Sequence, residues 1–264
     1  MSRKVNSGPE SSCDNQTVPE LDTERLLATY PRRRPGLPPK QRDIYAAEIR
    51  ANRTGGNWII RRVNSLEAWM HRKVAAAARP GEEILEIGAG TLNHVPYETT
   101  AAAYDAVEPA AYLTNGSPHA GRLRALYRSL RDVPDSNCYD RVLSIAVLEH
   151  LDDLPGVVAA GARHLTRGGL FQVAVPNEGG LLWAIGWRLT TGLSYRLRNH
   201  ASYSLVMRHE HINTAPEITA VLGWFFERVR VVQFPAPCLH AGFYRYIECS
   251  SPNQARVESY RGRS

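Results

Sequence analysis

Residues 84–91 read Ile-Leu-Glu-Ile-Gly-Ala-Gly-Thr, and this octapeptide decides the fold. The apolar residues before Gly88 predict a short buried strand that ends in a glycine-rich turn. In an open parallel sheet, ligands bind outside the carboxyl ends of the strands, where the strand order reverses. Glycine permits backbone angles and a close approach that a side chain would block. We therefore predict a ligand site at Gly88, Ala89 and Gly90, with Glu86 beside it.

An acidic residue follows the next predicted strand, residues 103–107. Glu108 comes about 20 residues after the turn, the spacing used by α/β proteins that bind a nucleoside. A carboxylate there can accept hydrogen bonds from both ribose hydroxyls, so Glu108 is the first choice and Asp105 the second. A nicotinamide or flavin enzyme is the main alternative. Its fingerprint needs a third glycine, and Asn93 stands at that position.

The rest of the chain alternates predicted strands with predicted helices. Such alternation predicts an α/β fold, with a mostly parallel sheet covered by helices on both faces. The connection 235–242 is too short for a convincing helix, so the last two strands should be antiparallel. The predicted helices are residues 41–53, 65–78, 154–165 and 216–226, and the further strands are residues 125–130, 141–146, 170–175, 229–234 and 244–249.

The length of 264 residues suits one catalytic domain with flanking segments. Residues 1–40 are rich in proline and arginine and predict a disordered or loosely ordered arm. Residues 41–79 should form N-terminal helices, and residues 80–250 the ligand-binding domain. Within it, residues 177–213 form a lid-like insertion. Residues 251–264 are predicted to be a flexible tail.

Composition excludes several classes of protein. Hydrophobic residues make up 43% and charged residues 22%, as in a globular protein, and no apolar run approaches the ~20 residues of a membrane span. The first residues lack a secretory signal, so we expect a soluble, cytoplasmic protein. The net charge of +6 could favour anionic partners, but much of the excess lies in the flanks, so a solvated terminus is favoured over a nucleic-acid groove. The flanking cations are Arg32, Arg33, Arg34, Lys40, Arg256, Arg261 and Arg263.

The cysteines do not predict a metal or disulfide framework. They are widely separated, without a Cys-x-x-Cys pair, and we interpret them as reduced thiols. No metal site is expected. The four are Cys13, Cys138, Cys238 and Cys249.

Three motifs in order resemble those of class I S-adenosylmethionine-dependent methyltransferases. Residues 84–91 resemble the first motif of that family and residues 139–151 its fourth, while residues 164–171 resemble the helix end, turn and fifth strand that follow. The resemblance covers about residues 80–249. The fuller pattern, with residues 69–75 and 176–180, is similar to the bacterial type 11/12 methyltransferase group, some of whose members act in cell-surface polysaccharide or secondary-metabolite pathways.

The resemblance implies a Rossmann-like seven-stranded sheet with an antiparallel last strand, and S-adenosyl-L-methionine as the cofactor. Glu86 and the turn would surround the methionine part, and Glu108 would hold the ribose. The segment after the fourth strand would pass beside the cofactor, with Glu149 and His150 near the rim. Asp132 is the candidate for the adenine contact, although the sequence departs there from the family pattern. The full predicted cofactor set is Glu86, Gly88, Ala89, Gly90, Glu108, Pro109, Asp132, Ala146 and Glu149.

A base near the acceptor is the remaining requirement, because an alcohol must lose a proton when it is methylated. Residues 208–213 carry His209 and His211, and His150 and Glu178 each follow a core strand. These four are the candidate catalytic residues. Two histidines with one glutamate are too few for a metal site, and plain hydrogen bonding is the alternative for each. Glu149 and His150 could equally do no more than end a strand.

Trp183 and Trp187 are four residues apart and would share a helix face. Packing with a lid function is favoured over membrane contact. We predict methyl transfer to a small molecule or saccharide, at oxygen rather than nitrogen. The alternatives are a nucleic-acid or protein methyltransferase, a nucleotide-dependent oxidoreductase and a non-catalytic binding module. The oligomeric state is not predicted.

Overall fold

The computed structural model describes residues 22–39, 41–45, 58–188, 192–199 and 202–260. For residues 58–66, 187, 194 and 239 it describes the backbone only. Predictions that concern Cys13, Lys40, Arg261, Arg263 and residues 46–53 lie outside the described residues.

One seven-stranded sheet has the order β3-β2-β1-β4-β5-β7-β6. Neighbours from β3 to β5 pair in parallel, whereas β7 pairs antiparallel with both β5 and β6. The predicted mostly parallel sheet with an antiparallel last strand is confirmed, and it is the arrangement that the resemblance implied. The strands are β1 (Glu83–Ile87), β2 (Ala103–Val107), β3 (Ala125–Tyr127), β4 (Tyr139–Ile145), β5 (Leu165–Pro176), β6 (Phe226–Pro235) and β7 (Gly242–Pro252).

The strand order reverses at β1, and this positions the site. The chain runs outward from β1 through β2 to β3, then crosses back to place β4 on the other side of β1. A crevice forms at the carboxyl ends where the order reverses, because the two connections leave in opposite directions. The turn after Ile87 opens into that crevice.

Helices cover both faces of the sheet, as predicted. Apolar residues of α2, such as Met70 and Val74, pack into one core cluster, and those of α4, α8 and α9 pack into the other. The helices are α1 (Thr23–Leu27), α2 (Trp58–Ala75), α3 (Ala111–Asn115), α4 (Leu154–Arg163), α5 (Leu181–Trp187), α6 (Leu193–Asn199), α7 (Tyr203–Glu210), α8 (Ala215–Phe225) and α9 (Gln254–Ser259).

The helix α8 begins where its sequence requires. Thr214 and Glu217 form a reciprocal capping box, and Pro216 occupies the first turn, where its missing N–H costs no hydrogen bond. This fixed start places the residues just before α8, including His211, at the carboxyl edge of the sheet.

The described parts of both flanks pack against the core. In the arm, α1 is capped by Asp22 and buries Leu26 and Leu27. In the tail, Val257 of α9 is buried, and the Tyr260 ring meets the core. The loosely ordered arm and the flexible tail stay predictions, and the contacts described here concern residues 22–39 and 251–260.

Several element boundaries also differ from the predictions. The strand β3 ends at Tyr127 because a 3-10 turn follows, Leu130–Asp132, closed by its own capping box. The strand β5 begins at Leu165, directly after α4, rather than at residue 170. Within the described residues, no helix combines the length and the apolar character needed to cross a bilayer.

Candidate active site

The glycine turn adopts backbone angles that favour glycine. Gly88 has a φ of +74° and Gly90 a φ of +49°. A Cβ atom on Gly88 would lie 2.4 Å from Cγ2 of Val147, so the turn packs directly against the chain that follows β4. A Cβ atom on Gly90 would meet nothing within 4 Å. Gly88 is therefore needed for close packing against Val147, whereas Gly90 leaves open space beside the turn.

The carboxylate of Glu108 is fixed beside this turn. The Gly90 N–H donates to Oε2 and the Ala110 N–H to Oε1, both at 2.8 Å. The side chain is 8% exposed. Each oxygen retains a lone pair that can accept a hydroxyl. The tips of β1 and β2 thus present one oriented carboxylate at the crevice.

Asp105, the second candidate for the ribose contact, is hydrogen-bonded to other side chains. Its carboxylate is fully buried and accepts from Tyr139 Oη at 2.7 Å and from two nitrogens of Arg124 at 2.9 and 2.7 Å. These bonds join β2 to β4 and to the chain before β3. Asp105 therefore has a structural role, and Glu108 remains the ribose candidate.

A pocket of about 310 Å³ lies over the turn. Glu86 is nearly buried there, accepts from Tyr104 Oη at 2.7 Å, and has its pKa raised by burial. Five of the predicted cofactor residues line this pocket, and we call it the turn pocket. Its lining residues are Glu67, Met70, His71, Glu86, Gly88, Ala89, Gly90, Thr91, Asn93, His94, Leu113, Ile145 and Ala146.

Ala146 forms part of the wall in a strained conformation. Its φ is +54°, a region that costs a residue other than glycine roughly 1–3 kcal/mol. Its N–H donates to the Ala174 carbonyl at 2.8 Å, so pairing with the end of β5 holds the conformation. The wall of the turn pocket is thus fixed by the backbone.

A buried polar network backs the turn pocket, and the sequence analysis missed it. Nδ1 of His71 lies 3.2 Å from Nδ1 of His94, whose Nε2 lies 2.9 Å from Glu98. Arg141 donates two hydrogen bonds to Glu98 and one to the Val74 carbonyl. Despite burial, the bonds from His94 and Arg141 lower the pKa of Glu98 to about 2. The network ties α2 to β4.

His71 of this network contributes an imidazole to the turn pocket, and burial and the neighbouring His94 lower its pKa to about 4.

The remaining cofactor candidates lie away from the turn pocket. Asp132 is exposed, and its Oδ2 accepts from both the N–H and the hydroxyl of Ser129 at 2.9 Å. Pro109 is exposed and does not line the pocket. Their roles remain predictions.

A second pocket, of about 360 Å³, is built by the lid-like segment. Glu178 follows β5, His211 follows α7, and the two side chains meet with Oε1 and Nδ1 2.5 Å apart. Trp183 Nε1 donates to the same oxygen of Glu178 at 3.3 Å. We call this the lid pocket. Its lining residues are Glu178, Gly179, Trp183, Ala184, Arg188, Ser204, Met207, Arg208, His211 and Thr214.

Two further candidates lie next to this pair. Burial would lower the pKa of His211, but the contact with Glu178 and the charges of Glu149 and Glu210 outweigh it and raise that pKa. The ring of His150 lies edge-on to that of His211, with centroids 4.7 Å apart. Its Nδ1 is 2.8 Å from the Glu210 carbonyl oxygen, and burial lowers its pKa to about 4, which leaves His150 neutral.

Glu149 is buried, and its contact with the cofactor stays a prediction. It is 1% exposed, because the 3-10 turn Leu148–His150 directs it inward from the end of β4. Burial raises its pKa to about 7, and its Oε2 has no hydrogen-bond partner among the described residues. Glu149 lines neither pocket.

His209 is separated from the other candidates. Its Nδ1 donates to the Pro35 carbonyl oxygen at 2.7 Å, and its ring lies 5.7 Å from that of Tyr45. It does not line the lid pocket. Neighbours in sequence therefore differ in role: His211 lies in the pocket, and His209 holds the N-terminal segment.

Residues 30–36, which we call the N-terminal strap, cross this side of the site. Arg32 donates to both oxygens of Glu217, to the Ile212 carbonyl and to Asn213. Tyr30 Oη donates to Asn213 at 2.8 Å. The buried Asn213 in turn donates to the Leu148 and Leu151 carbonyls of the chain that follows β4. The strap thus fixes the segment that carries His211. The local sequence pattern of residues 30–36 contains no signal for these contacts.

No protein-family model matches the sequence, and no curated protein matches it. Many solved structures resemble the chain, among them three methyltransferases. An S-adenosylmethionine-dependent methyltransferase from Thermotoga maritima has 19% identity over 72% of this chain and 96% of its own, with a TM-score of 0.49. One from Mesorhizobium loti has 14% identity over 69% and 96%, with a TM-score of 0.48. An O-methyltransferase family protein from Burkholderia thailandensis has 14% identity over 73% and only 57% of its own length, with a TM-score of 0.47.

These identities are too low to carry over an acceptor or a residue role. The fold assignment rests on the sheet alone, whose seven strands and antiparallel β7 are those that the resemblance implied. The chain therefore has a Rossmann-like α/β fold with a seven-stranded, mostly parallel sheet.

Proposed function

We propose that this protein transfers a methyl group from S-adenosyl-L-methionine to an oxygen of a small-molecule or saccharide acceptor. The observation that carries the proposal is the carboxylate of Glu108, held by the Gly90 N–H beside an open turn. We place the reaction in the cytoplasm, in surface-polysaccharide or secondary-metabolite biosynthesis.

The residues of the turn pocket fit the cofactor in shape and charge. Gly90 leaves open space where any side chain would project, and the oriented Glu108 can accept the two ribose hydroxyls. Glu86 and Glu67 line the pocket and suit a ligand that carries a positive charge. When bound, the cofactor supplies a methyl group already activated by a sulfonium.

The lid pocket supplies the base. Nδ1 of His211 lies 2.5 Å from Oε1 of Glu178, so the negative charge of the carboxylate favours a proton on that nitrogen and leaves Nε2 as an acceptor. We infer that Nε2 takes the proton of an acceptor hydroxyl while Glu178 orients the ring and stabilises its charged form. The neutral His150 packs against the ring and limits its rotation.

The strap argues against a nucleic-acid acceptor. Arg32 is bound to Glu217, and Arg34 donates to the His150 carbonyl at 2.7 Å. These two arginines are used within the protein, whereas a phosphate-binding groove needs cations directed to a ligand.

Calorimetric titration with S-adenosylmethionine, S-adenosylhomocysteine and NAD tests the proposal. The first two ligands should bind and NAD should not. Glu108→Ala should weaken binding roughly 10–100-fold, because hydrogen bonds to a charged group contribute about 1.5–3 kcal/mol. The matched control is Glu227→Ala, an exposed carboxylate on β6. Binding of NAD alone, or unchanged affinity in Glu108→Ala, contradicts the proposal. A screen of acceptors that detects S-adenosylhomocysteine release would then identify the substrate.

A further inference from the structure

Four large apolar side chains project into solvent from two consecutive short helices. On α5, Leu181 is 59% exposed and Ile185 44%; on α6, Leu193 is 50% exposed and Leu197 69%. Each pair is four residues apart and therefore lies on one side of its helix. We call these four residues the apolar face.

Packing of the opposite sides holds this face outward. A Cβ atom on Gly186 would lie 2.9 Å from Phe243, so α5 meets the protein at that residue, about 100° around the helix from Ile185. On α6, Tyr195 is 1% exposed and packs 5.1 Å from Tyr203. Tyr195 lies on the side of α6 opposite Leu193 and Leu197. The apolar face is therefore exposed because α5 and α6 pack against the protein through other sides.

The charged residues in the stretch that carries the apolar face have one sign. Between Glu178 and Glu210 the sequence has no acidic residue, although about three would be expected from 26 in 264 residues. The same stretch carries Arg188, Arg196, Arg198 and Arg208. Arg188 and Arg196 are exposed. Exposed apolar residues with flanking arginines are typical of helices that lie in a membrane interface.

The same helix also borders the lid pocket. Trp183, Ala184 and Arg188 of α5 line that pocket, while Leu181 and Ile185 point to solvent. A surface that contacts the apolar face would therefore lie next to the pocket in which we place the acceptor.

We propose that the apolar face docks the protein onto an anionic membrane surface, with the four apolar side chains entering the interface and the arginines contacting lipid phosphates. A second copy of the chain fits less well. A two-fold contact through this face would bring the arginines of one copy against those of the other, with no carboxylate in the stretch to pair with them. Docking does not depend on the proposed methyl transfer.

Flotation with lipid vesicles tests the docking. The full-length protein is mixed with vesicles of phosphatidylcholine alone, or of phosphatidylcholine with phosphatidylglycerol. We expect binding to the anionic vesicles, weakened by salt. The double variant Leu193→Glu, Leu197→Glu should lose at least about tenfold in partitioning, since two buried leucines are replaced by charges. Arg196→Gln should lose about fivefold.

Matched controls lie on β6. Val231→Glu places a charge at an exposed apolar residue, and Arg228→Gln removes an exposed arginine, both away from the apolar face. Both should bind vesicles like the wild type. Calorimetry with S-adenosylmethionine and circular dichroism report whether the double variant is folded, independently of the lipid result.

The proposal is overturned if the wild type floats with neither kind of vesicle, or if the folded double variant still binds the anionic vesicles. It is also overturned if light scattering shows a wild-type dimer that Leu193→Glu, Leu197→Glu converts to a monomer, because the face would then join two copies. Vesicle binding that persists when the Glu108→Ala variant cannot bind cofactor keeps this question separate from methyl transfer.

Discussion

The turn pocket and the lid pocket are built in different ways. The turn pocket takes its central features, Gly88, Gly90 and Glu108, from the ends of two adjacent parallel strands, joined by backbone hydrogen bonds. The lid pocket takes Glu178 and His211 from distant segments, held by side chains of the N-terminal strap. Strand pairing leaves the residues of the turn pocket little conformational freedom, whereas the side-chain contacts that hold the lid pocket can be removed one at a time. Substitutions should therefore act abruptly in the first pocket and by degrees in the second.

The largest effect is expected for Gly88→Val. The new side chain would collide with Val147 and would need a φ of +74°, so the turn must shift and cofactor binding should fall below detection in calorimetry. Gly223→Val is the control, because a Cβ atom there meets nothing within 4 Å and φ is not positive. Normal affinity in a folded Gly88→Val protein would show that this turn is not the cofactor site.

A loss of roughly 100-fold in kcat is expected for His211→Ala, if this residue is the base. The wild-type rate should rise with pH through a value above 6.5, because His211 must be neutral to accept a proton and its pKa is raised. Glu178→Gln removes the main partner and should move this rise to lower pH. Rate profiles against pH give both results, with His240→Ala as the exposed control. An unchanged pH profile in Glu178→Gln would show that the His211–Glu178 pair does not set the pH dependence of the rate.

Arg32→Ala should lower the free energy of unfolding by roughly 1–3 kcal/mol, since it leaves Glu217 and Asn213 without a charged partner. It should also reduce methyl transfer more than cofactor binding, because the strap holds the His211 segment. Denaturant unfolding and calorimetry measure the two effects. Arg33→Ala, an exposed neighbour, should change neither. Equal losses in transfer and cofactor affinity would argue against separate construction of the pockets.

The last two predictions concern buried carboxylates whose effects on stability should depend on pH in opposite ways. Glu149 has a pKa raised to about 7, so the folded protein binds more protons than the unfolded chain between pH 4.5 and 7, and stability falls as pH rises through that range. Glu149→Gln should therefore stabilise the protein at pH 8, by on the order of 1 kcal/mol, and little at pH 4.

Glu98→Gln should do the reverse. Its pKa is lowered to about 2, so its charged form stabilises the fold above pH 4.5, and that contribution is lost as pH falls towards 2. Removing the charge should destabilise the protein at pH 8. Denaturant unfolding at two pH values compares the variants, and the same sign for both would contradict the assigned ionisation states.

The sequence could indicate the turn pocket because the residues predicted for it are close along the chain. A glycine turn follows the first strand, and an acidic residue follows the second. Glu108 can be chosen from spacing alone, although only the structure shows that Asp105 is occupied by Arg124. The lid pocket could be predicted only as a set of candidates. His209 and His211 are equivalent in sequence, and contacts with Pro35 and Glu178 distinguish them.

The strap was not predicted, because a proline-rich segment has no periodicity that reports burial. Its order comes from hydrogen bonds such as those of Arg32 with residues about 180 positions away. The network from His71 to Arg141 was missed for the same reason. Long polar side chains make contacts that local pattern does not encode.

The two margins of the sheet have a consequence for association between copies of the chain. At one margin, β3 offers only the three residues Ala125–Tyr127 for further pairing. At the other, β6 carries exposed charges at Glu227, Arg228 and Arg230. A short strand and a charged strand are both poor templates for an added strand, so neither margin favours fibrillar growth.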